Sequence, residues 1–250
     1  MKRTRKRLDV LLTERGLCES RTVAQALILA GKVRSGTEIL DKPGRSLPED
    51  TPLELESPPR FVSRGGDKLE GFLEKHPFPI NGLHGLDLGA STGGFTDCLL
   101  QHGATSMTCV DVGQAQLHTK LLDDPRVTNL EKINARTLQP KDLPRPTFGV
   151  IVLDLSFISL KKVLHSAWPL LEPSGHMVTL VKPQFEATKE EADKGRGIIR
   201  DPEVHKRILN EVQQFISTEL VGAKVFATEE SSLKGTKGNT EYLVGIQKLN

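Results

Sequence analysis

The sequence of 250 residues has few aromatic residues, three cysteines and no long apolar run free of charges. Aromatic residues make up 4% of the chain, which argues against a sheet that binds RNA chiefly by stacking bases. Cys18, Cys98 and Cys109 are odd in number and lack paired spacing, so a reducing, cytoplasmic compartment is expected. Apolar runs such as residues 150–153 fall far short of the ~20 residues that a bilayer span needs.

Two further signals are missing. The apolar stretch that begins at Leu8 is broken at Asp9 and again at Glu14 and Arg15, so no secretory signal is expected. The histidines have no spacing typical of metal ligands, and no metal site is predicted. These histidines are His76, His84, His102, His118, His165, His176 and His205.

Positive charge is concentrated at the start of the chain. Residues 1–34 hold nine Lys and Arg against three Asp and Glu, a formal charge of +6, whereas the whole chain carries +2. A small basic unit beside a nearly neutral body is typical of a module that binds a polyanion for a catalytic partner. A basic tail that only aids solubility would have the same composition.

The same region has the pattern of two short helices followed by strands. Three leucines repeat at helical spacing (Leu8, Leu11 and Leu12), and Gly16 is placed to end that helix. Ser20 is a good N-cap for a second helix, which Gly31 closes. The predicted apolar face of this second helix comprises Val23, Ala26, Leu27 and Ala30. Val33 then leads into a turn at Ser35-Gly36, and residues 53–56 alternate as a half-buried strand.

From residue 82 onward, strand patterns and helix patterns alternate. Strands are predicted at residues 84–89, 107–111, 127–133, 148–154, 177–182, 223–227 and 241–246. Helices are predicted at residues 95–101, 159–171 and 204–216. Repeated β-then-α order indicates a parallel sheet covered on both faces, with ligands beyond the carboxyl ends of its strands.

A glycine-rich segment ends the first of these strands: Asp87-Leu88-Gly89-Ala90-Ser91-Thr92-Gly93-Gly94-Phe95. Glycine lets the backbone turn sharply and lets a ligand approach the main chain. The segment lacks the Gly-x-Gly-x-x-Gly spacing that cradles a pyrophosphate. Asp111 ends the next strand, where an acid can bind ribose hydroxyls. Together they predict a nucleoside site, with an ordinary turn and an N-cap aspartate as the structural alternative.

Charged residues follow two later strands. Asp154 comes after residues 150–153, and Lys182 comes after residues 179–181. Either charge alone could simply end a strand, and a lysine there can reach solvent along its apolar stem. Because both are expected at the edge that holds the glycine loop, they predict a site, which Lys68 and Glu241 could also reach.

The order Arg7-Leu8-Asp9, Gly16, Ser20-Arg21, Ala24, Ile28 and Gly31-Lys32-Val33 resembles the S4 RNA-binding domain. In that family a helix pair presents basic side chains to folded RNA. The resemblance implies that Arg7, Arg21, Lys32 and Lys42 contact the RNA backbone rather than base edges. The sequence departs from the family pattern at Arg34-Ser35-Gly36, which weakens the prediction of a hairpin there.

Four motifs of the body resemble the TlyA family of FtsJ-like RNA 2′-O-methyltransferases, historically labelled haemolysins. These motifs are residues 89–95 (GASTGGF), 154–159 (DLSFIS), 181–186 (VKPQFE) and 238–242 (GNTEY). The resemblance implies an α/β fold, namely a Rossmann-like class I methyltransferase with a seven-stranded sheet whose last strand is antiparallel, preceded by a small α+β S4 domain. It implies an S4 domain over residues 1–58, a linker over 59–64 and a methyltransferase domain over 65–250. Residues 60–63 fall at a linker thought to influence cofactor binding.

The resemblance also implies the site. The family's Lys-Asp-Lys-Glu tetrad falls on Lys68, Asp154, Lys182 and Glu241, with Lys182 accepting or steering the ribose proton. The implied cofactor is S-adenosylmethionine, and no metal is implied. The residues implied to bind the cofactor are Gly89, Ala90, Ser91, Thr92, Gly93, Gly94, Phe95, Asp111 and Asn134.

The implied substrate is cytidine in ribosomal RNA. Longer family members modify 16S and 23S rRNA and shorter ones modify 23S alone. The chain has the N-terminal extension but no extra C-terminal helix, so the two features favour different subclasses; 23S rRNA is the surer target and 16S rRNA stays open. The implied partners are ribosomal RNA and ribosomal subunits, without DNA or membrane, and no oligomeric state is predicted. Three alternatives stay open: a secreted cytolysin, a non-catalytic RNA-binding ribosome factor, and an NAD-dependent oxidoreductase, which the glycine spacing disfavours.

Overall fold

The computed structural model of the protein describes residues 4–56 and 59–250. The chain forms two compact units, residues 1–59 and residues 60–250, and each has its own apolar core. Lys2 and Arg3 of the basic start, and Pro58 at the end of the expected S4 domain, lie outside the described residues.

The first unit contains two helices, α1 (Leu8–Glu14) and α2 (Arg21–Leu29), and short antiparallel strands. The strands are β1 (Arg5–Arg7), β2 (Val33–Ser35), β3 (Glu38–Ile39), β4 (Ser46–Pro48) and β5 (Glu54–Leu55). Strand β1 pairs with β4, and β2 lies between β3 and β5. Ser20 caps α2 as predicted, because its side chain accepts a hydrogen bond from Val23 N at 3.3 Å.

The predicted apolar face of α2 is confirmed only at Leu27, which is half-buried against the core, and is wrong at its other three residues. Ala24 and Ile28 are the fully buried residues of this helix, whereas Val23 is 42% exposed and Ala26 and Ala30 are exposed. The helix is short and carries apolar residues around most of its circumference. Periodicity alone therefore could not choose the face that packs against α1.

The second unit contains seven helices and seven strands among the described residues. The helices are α3 (Arg64–Lys75), α4 (Gly94–Gln101), α5 (Thr119–Leu122), α6 (Lys161–Ala167), α7 (Pro183–Glu186), α8 (Lys189–Lys194) and α9 (Pro202–Glu219). The strands are β6 (His84–Leu88), β7 (Ser106–Asp111), β8 (Val127–Glu131), β9 (Phe148–Leu153), β10 (Leu171–Val181), β11 (Ala223–Glu230) and β12 (Tyr242–Lys248). Three short 3-10 helices complete the unit, at Ala135–Thr137, Pro140–Asp142 and Trp168–Leu170.

All seven strands of this unit form one sheet in the order β11-β12-β10-β9-β6-β7-β8. Strands β10, β9, β6, β7 and β8 are parallel, and β12 runs antiparallel to both of its neighbours. The prediction of a seven-stranded sheet with an antiparallel last strand is confirmed. The chain leaves β6 toward β7 on one side and later returns to β9 on the other. The strand order therefore reverses at β6, where open α/β sheets form their ligand crevice.

Two segments differ from their predicted structure. The predicted helix over residues 159–171 is limited to α6 and the following 3-10 turn, and β10 already begins at Leu171. Residues 173–175 stand between the predicted helix (159–171) and the predicted strand (177–182), but they lie within β10, whose register with β9 shifts between Leu171 and His176. A turn-like sequence is tolerated inside the strand because this irregularity accommodates it.

The second unit begins before its first helix. Phe61 is buried, and a Cβ atom on Gly66 would collide with its ring. Val62 N donates a hydrogen bond to Asp97 Oδ2 on α4 at 2.9 Å. Residues 61 and 62 thus pack directly against α3 and α4. Among the helices of the described residues, none combines the length and the apolar character that a bilayer span requires.

Candidate active site

The glycine-rich loop between β6 and α4 runs directly beneath the end of β9. Gly89 and Gly93 have φ angles of +83° and +89°, in the left-handed region that favours glycine. A Cβ atom on Gly89 would lie 2.7 Å from the carbonyl oxygen of Asp154. The absence of a side chain at Gly89 therefore lets the loop backbone approach the end of the neighbouring strand.

A cavity of about 300 Å³ opens beside this loop. Six of the seven loop residues expected to bind a cofactor line it, namely Gly89, Ala90, Ser91, Thr92, Gly94 and Phe95. The seventh, Gly93, packs against Leu117 and Leu121. Lys68, Asp154 and Lys182 line the same cavity. The structure thus brings most of the loop and three of the four expected catalytic residues to one space.

Asp111 and Asn134 lie at the carboxyl ends of the strands beyond β6. The Asp111 carboxylate accepts hydrogen bonds from Ser91 N at 2.9 Å and from Gly113 N at 2.7 Å, so it holds the glycine loop. Asn134 Oδ1 accepts from Arg136 N at 3.0 Å and caps a 3-10 helix. Neither Asp111 nor Asn134 belongs to the described residues that line the 300 Å³ cavity. Both side chains thus accept hydrogen bonds from backbone N–H groups, and only Asp111 does so from the glycine loop.

Asp87 is an acid that the sequence reasoning did not assign to the site. It lies in β6, is 1% exposed and lines the cavity. Its Oδ2 accepts hydrogen bonds from Thr96 N at 3.1 Å and from Thr96 Oγ1 at 2.7 Å, whereas Oδ1 has no partner in the described part of the chain. Burial raises the pKa of Asp87 to about 7. An acid inside an otherwise apolar strand was the available sequence signal.

The four expected catalytic residues form two ion pairs. Lys182 Nζ lies 2.6 Å from Asp154 Oδ1 and donates to Ser156 Oγ at 3.0 Å. Lys68 Nζ lies 2.5 Å from Glu241 Oε2, and both side chains are almost fully buried. Lys68 is carried by α3, and Glu241 immediately precedes β12. Each ammonium is thus held in place by a carboxylate at the carboxyl edge of the sheet.

A second cavity of about 250 Å³ adjoins the first. Lys182 and Ser156 line both cavities, and Glu241 lines the second. The Gln184 side chain also lines it, and its Oε1 is buried without a hydrogen-bond partner among the residues described. Lys182 therefore stands between the space beside the glycine loop and a separate space that offers an unused acceptor.

An exposed aromatic residue lines the second cavity. Phe157 is 91% exposed and has a φ of +64°, a strained conformation for a residue that is not glycine. Its ring centroid lies 5.2 Å from that of Phe185, and Lys182 Nζ lies 6.0 Å from the Phe185 centroid. Strained residues of this kind cluster at functional sites. Phe157 belongs to the DLSFIS motif at residues 154–159, but the sequence predicts no role for it.

The four basic residues expected to bind RNA all lie in the first unit, in different environments. Arg7 and Arg21 both contact the buried Asp9 at 3.0 Å. Lys32 pairs with Glu56 at 3.1 Å. Lys42 is exposed, and within residues 4–56 and 59–250 the structure gives it no ion pair. The structure therefore joins Arg7 and Arg21 but places Lys32 in a separate ion pair.

His102 lies in a small cluster that the histidine spacing did not predict. Its Nε2 lies 2.6 Å from Glu70 Oε2, and Cys98 Sγ lies 3.6 Å from the same oxygen. These three residues could in principle offer ligands to a metal ion. Arg60 Nη1, however, lies 2.5 Å from Glu70 Oε1, so a guanidinium already neutralises the carboxylate. The described contacts are those of a hydrogen-bonded network around one carboxylate.

Comparison with known proteins identifies the family to which both units belong. The family model of FtsJ-like methyltransferases matches residues 61–248, and that of the S4 domain matches residues 6–51. The Mycobacterium tuberculosis protein named 16S/23S rRNA (cytidine-2′-O)-methyltransferase TlyA is 39% identical over 97% of this chain and 90% of its own. The chain belongs to the TlyA family.

Two further proteins match over similar lengths. YqxC of Bacillus subtilis is 43% identical to this TlyA-family chain, over 97% of this chain and 85% of its own. The solved structure of a Streptococcus thermophilus protein described as a "putative hemolysin" superposes with a TM-score of 0.74 at 38% identity, covering 99% of this chain and 90% of that one. The expected family and fold class are therefore confirmed.

The protein is a methyltransferase, and its cofactor is S-adenosylmethionine. The residues around the 300 Å³ cavity fit this group. The unpaired Oδ1 of Asp87 matches the ammonium of its methionine part, because a buried acceptor without a partner gains from a charged donor. The glycine-rich loop lines the same cavity, so its backbone can contact the cofactor directly.

Proposed function

We propose that this TlyA-family protein methylates the 2′-hydroxyl of cytidine in ribosomal RNA. The observation that carries the proposal is the pair of lysine–carboxylate contacts, Lys182 with Asp154 and Lys68 with Glu241, at the edge of the sheet that holds the glycine loop. The name of the M. tuberculosis relative supports cytidine in rRNA as the substrate. We take 23S rRNA as the first target and 16S rRNA as the second.

The protein's residues mainly position the reactants and move one proton. S-adenosylmethionine supplies a methyl group on a positively charged sulfur, which keeps the electron pair of the broken C–S bond. The ribose oxygen forms the new O–C bond and loses its proton. Lys182 Nζ takes this proton, and the Asp154 carboxylate, whose Oδ1 lies 2.6 Å away, stabilises the ammonium that forms. The Asp154 side chain is 25% exposed, so the pair lies within reach of solvent, which takes up the proton afterwards.

The second ion pair serves a different purpose in this mechanism. The side chains of Lys68 and Glu241 are almost completely shielded from solvent, at 10% and 4% exposed. A buried ammonium held by one carboxylate keeps its position and adds a fixed positive charge beside the reacting oxygen. Such a preorganised charge stabilises the oxygen as it gives up its proton, because no solvent must reorganise during the step. We assign Lys68 this electrostatic role and Glu241 the task of holding Lys68.

The second cavity is the candidate subsite for the target nucleoside. Phe157 offers an exposed ring on which a base can stack, and base–aromatic stacking is a common means of holding an unstacked RNA base. The unused Oε1 of Gln184 can accept a hydrogen bond from the exocyclic amino group of cytosine. A base held there would bring its ribose next to Lys182, which lines both cavities.

The first unit supplies RNA affinity in this proposal. Arg7, Arg21, Lys32 and Lys42 bind phosphates and so position the ribosomal RNA without selecting a base. Ribosomal subunits are accordingly the partners, and the cytoplasm is the compartment. The description of the Streptococcus thermophilus protein as a hemolysin suggests a cytolysin as the alternative function. If the proposal is correct, the purified protein should leave erythrocytes intact at concentrations that methylate RNA.

The test is methyl transfer to 30S and 50S subunits from cells that lack this gene. Protein and tritiated S-adenosylmethionine are added, and the RNA is digested to nucleosides for mass spectrometry. We expect 2′-O-methylcytidine in 50S subunits. Lys182→Ala should reduce the rate about 100-fold or more while leaving cofactor affinity unchanged, since general acid–base groups contribute about that much.

Lys224→Ala is the matched control, because Lys224 is an exposed lysine of β11 that lies outside both cavities. Its rate should equal that of the unaltered protein. Absence of label in both subunits, or label on a base instead of the ribose, would overturn the proposed function. Near-normal turnover of Lys182→Ala would overturn the role of that residue alone.

A further inference from the structure

We propose that Arg7 and Arg21 form one phosphate-binding site on the first unit and that the buried Asp9 is the positioning residue for both guanidiniums. The inference rests on the proposed function in one respect, because ribosomal RNA is the ligand that supplies the phosphate. Two features are new: Arg7 and Arg21 act as a single site, and the acidic Asp9 favours the binding of a polyanion.

The geometry around Asp9 carries the inference. Arg7 Nε lies 3.0 Å from Asp9 Oδ1, and Arg7 Nη2 lies 3.0 Å from Oδ2, a two-pronged contact. Arg21 Nη2 donates to Oδ2 at 3.0 Å, and Gln25 Nε2 donates to the same oxygen at 2.8 Å. Asp9 therefore joins groups from the end of β1 and from the first two turns of α2.

The contrast in exposure indicates which side of the cluster is available to a ligand. The Asp9 side chain is 0% exposed, whereas the side chains of Arg7 and Arg21 are 51% and 54% exposed. Hydrogen bonds from Arg7, then Gln25 and Arg21, hold the pKa of Asp9 well below its usual range despite its burial. The carboxylate is thus charged at neutral pH but hidden from an approaching anion, while both cations are accessible.

The balance of charge and donors favours an anion. Two guanidiniums and one carboxylate leave a net charge of +1. Each guanidinium has five N–H donors, of which Arg7 gives two to Asp9 and Arg21 gives one. The remaining donors can bind phosphate oxygens. Because Asp9 fixes both side chains beforehand, less conformational freedom is lost when phosphate binds.

Other cations of the first unit have different partners. Lys32 pairs with Glu56, and Arg45 pairs with Glu38, and all four side chains are substantially exposed. In such pairs the exposed acid partly cancels the attraction of its cation for an anion, so these cations bind phosphate more weakly than Arg7 and Arg21 do. Lys42 is the further cation near the proposed site, since the neighbouring Pro43 accepts a hydrogen bond from Asp9 N at 3.1 Å. We therefore expect Lys42, and not Lys32, to assist the site.

The test uses a substitution whose charge effect and positioning effect have opposite signs. Asp9→Asn removes a negative charge from the full-length protein, which by charge alone should tighten binding to RNA. If Asp9 positions the two arginines, affinity falls instead. We expect about fivefold weaker binding to a fluorescein-labelled RNA stem-loop by anisotropy. We also expect a shallower dependence of affinity on salt, because fewer phosphates are neutralised.

Glu19→Gln is the matched control, since Glu19 is exposed just before α2 and its substitution changes the charge by the same amount. Its affinity should be equal to or tighter than that of the unaltered protein. Asp9→Asn binding that matches Glu19→Gln would overturn the inference. If Asp9→Asn fails to fold, Arg7→Lys replaces it, with Arg34→Lys as its control. Arg7→Lys keeps the charge but loses the two-pronged contact, so it should weaken binding where Arg34→Lys does not.

Two outcomes separate this inference from the proposed function. The methyl-transfer assay on the unaltered protein tests the enzyme and does not depend on Asp9. Weaker RNA binding by Asp9→Asn with no methyl transfer by the unaltered protein would support the phosphate site and overturn the enzyme. Methyl transfer with no effect of Asp9→Asn on affinity or salt dependence would do the reverse.

Discussion

The backbone of Gly89 passes so close to Asp154 that a Cβ atom on residue 89 would lie 2.7 Å from the Asp154 carbonyl oxygen. The same two segments are joined by a hydrogen bond from Asp154 N to Leu88 O at 3.1 Å. The loop expected to bind the cofactor and the strand end that carries the proposed catalytic carboxylate of Asp154 are thus in direct backbone contact. A change in the backbone at either residue should therefore affect both cofactor binding and the position of Asp154.

Gly89→Ala should reduce cofactor affinity about tenfold or more and lower the melting temperature. It combines left-handed strain, worth about 1–3 kcal/mol, with a collision against backbone. Gly82→Ala is the control, because Gly82 has a similar φ of +81° but open space around its Cβ position. Calorimetric titration and thermal unfolding would separate the two variants. Equal cofactor affinities in both would contradict the role of the Gly89–Asp154 contact.

The two ion pairs should differ in their effect on stability. Glu241→Gln leaves the nearly buried Lys68 without a countercharge and should cost about 3 kcal/mol. Asp154→Asn should cost about 1 kcal/mol or less, because the Asp154 side chain is 25% exposed and Lys182 keeps its hydrogen bond to Ser156 Oγ. The double variant Lys68→Met/Glu241→Gln should recover most of the stability but no activity. Urea unfolding would measure these differences, and equal losses from both single variants would refute the assignment of burial as the cause.

Asp87 should make stability depend on pH. Its pKa is about 7 in the folded protein and about 3.9 when unfolded, so the folded state holds a proton that the unfolded chain releases. The contribution of Asp87 to stability is therefore complete below about pH 4 and is lost as pH rises through about 7. Asp87→Asn should be more stable than the unaltered protein at pH 8, on the order of 2 kcal/mol, and should bind the cofactor at least about tenfold more weakly.

The control for Asp87 is Asp124→Asn. Arg126 holds the pKa of Asp124 below its ordinary value, so the stability it contributes is present above the unfolded pKa and is lost as pH falls. Removing that acid should lower stability at pH 8, the opposite sign. Urea unfolding at pH 5 and pH 8 measures both variants. If Asp87→Asn lost stability at pH 8, the conclusion that the buried, unpaired Asp87 carboxylate destabilises the folded protein at that pH would be wrong.

Phe157→Gly should increase stability while reducing turnover. Glycine adopts a φ of +64° without strain, and the lost ring is 91% exposed, so removing it costs little burial. We expect stability to rise by up to about 1 kcal/mol and kcat/KM for 50S subunits to fall about tenfold. Val221→Ala removes an equally exposed apolar side chain and should change neither quantity. Normal turnover by Phe157→Gly would exclude base stacking at this ring.

Much of the sheet could be predicted from local sequence. Strand β9 is continuously apolar and buried, and the glycine loop follows β6 at a point where only a bare backbone fits. The burial of α2 could not be predicted in this way, because several of its faces are apolar and only packing against α1 selects Ala24 and Ile28. The beginning of β10 was missed for a related reason: sheet pairing carries the strand past residues that favour a turn.

In the candidate site, too, some residues could be predicted from local sequence and others could not. Asp154 and Lys182 follow strands that could be recognised locally, so their shared edge could be inferred from the alternation of strands and helices. Lys68 and Glu241 are 173 residues apart, and no local pattern joins them. The unpaired oxygen of Asp87 and the contacts of Asp9 with two arginines also depend on the folded chain.

By itself the sequence determined the family, the order of strands and helices, and the positions at which glycine and charge interrupt them. Those properties depend on residues close together in the sequence, and the covalent chain sets the spacing of such residues. Only the tertiary structure decided which charges meet, which of them lose contact with water and which polar atoms stay unpaired. These depend on distances across the fold, and the strength of an electrostatic contact follows from that distance and from burial rather than from separation along the chain.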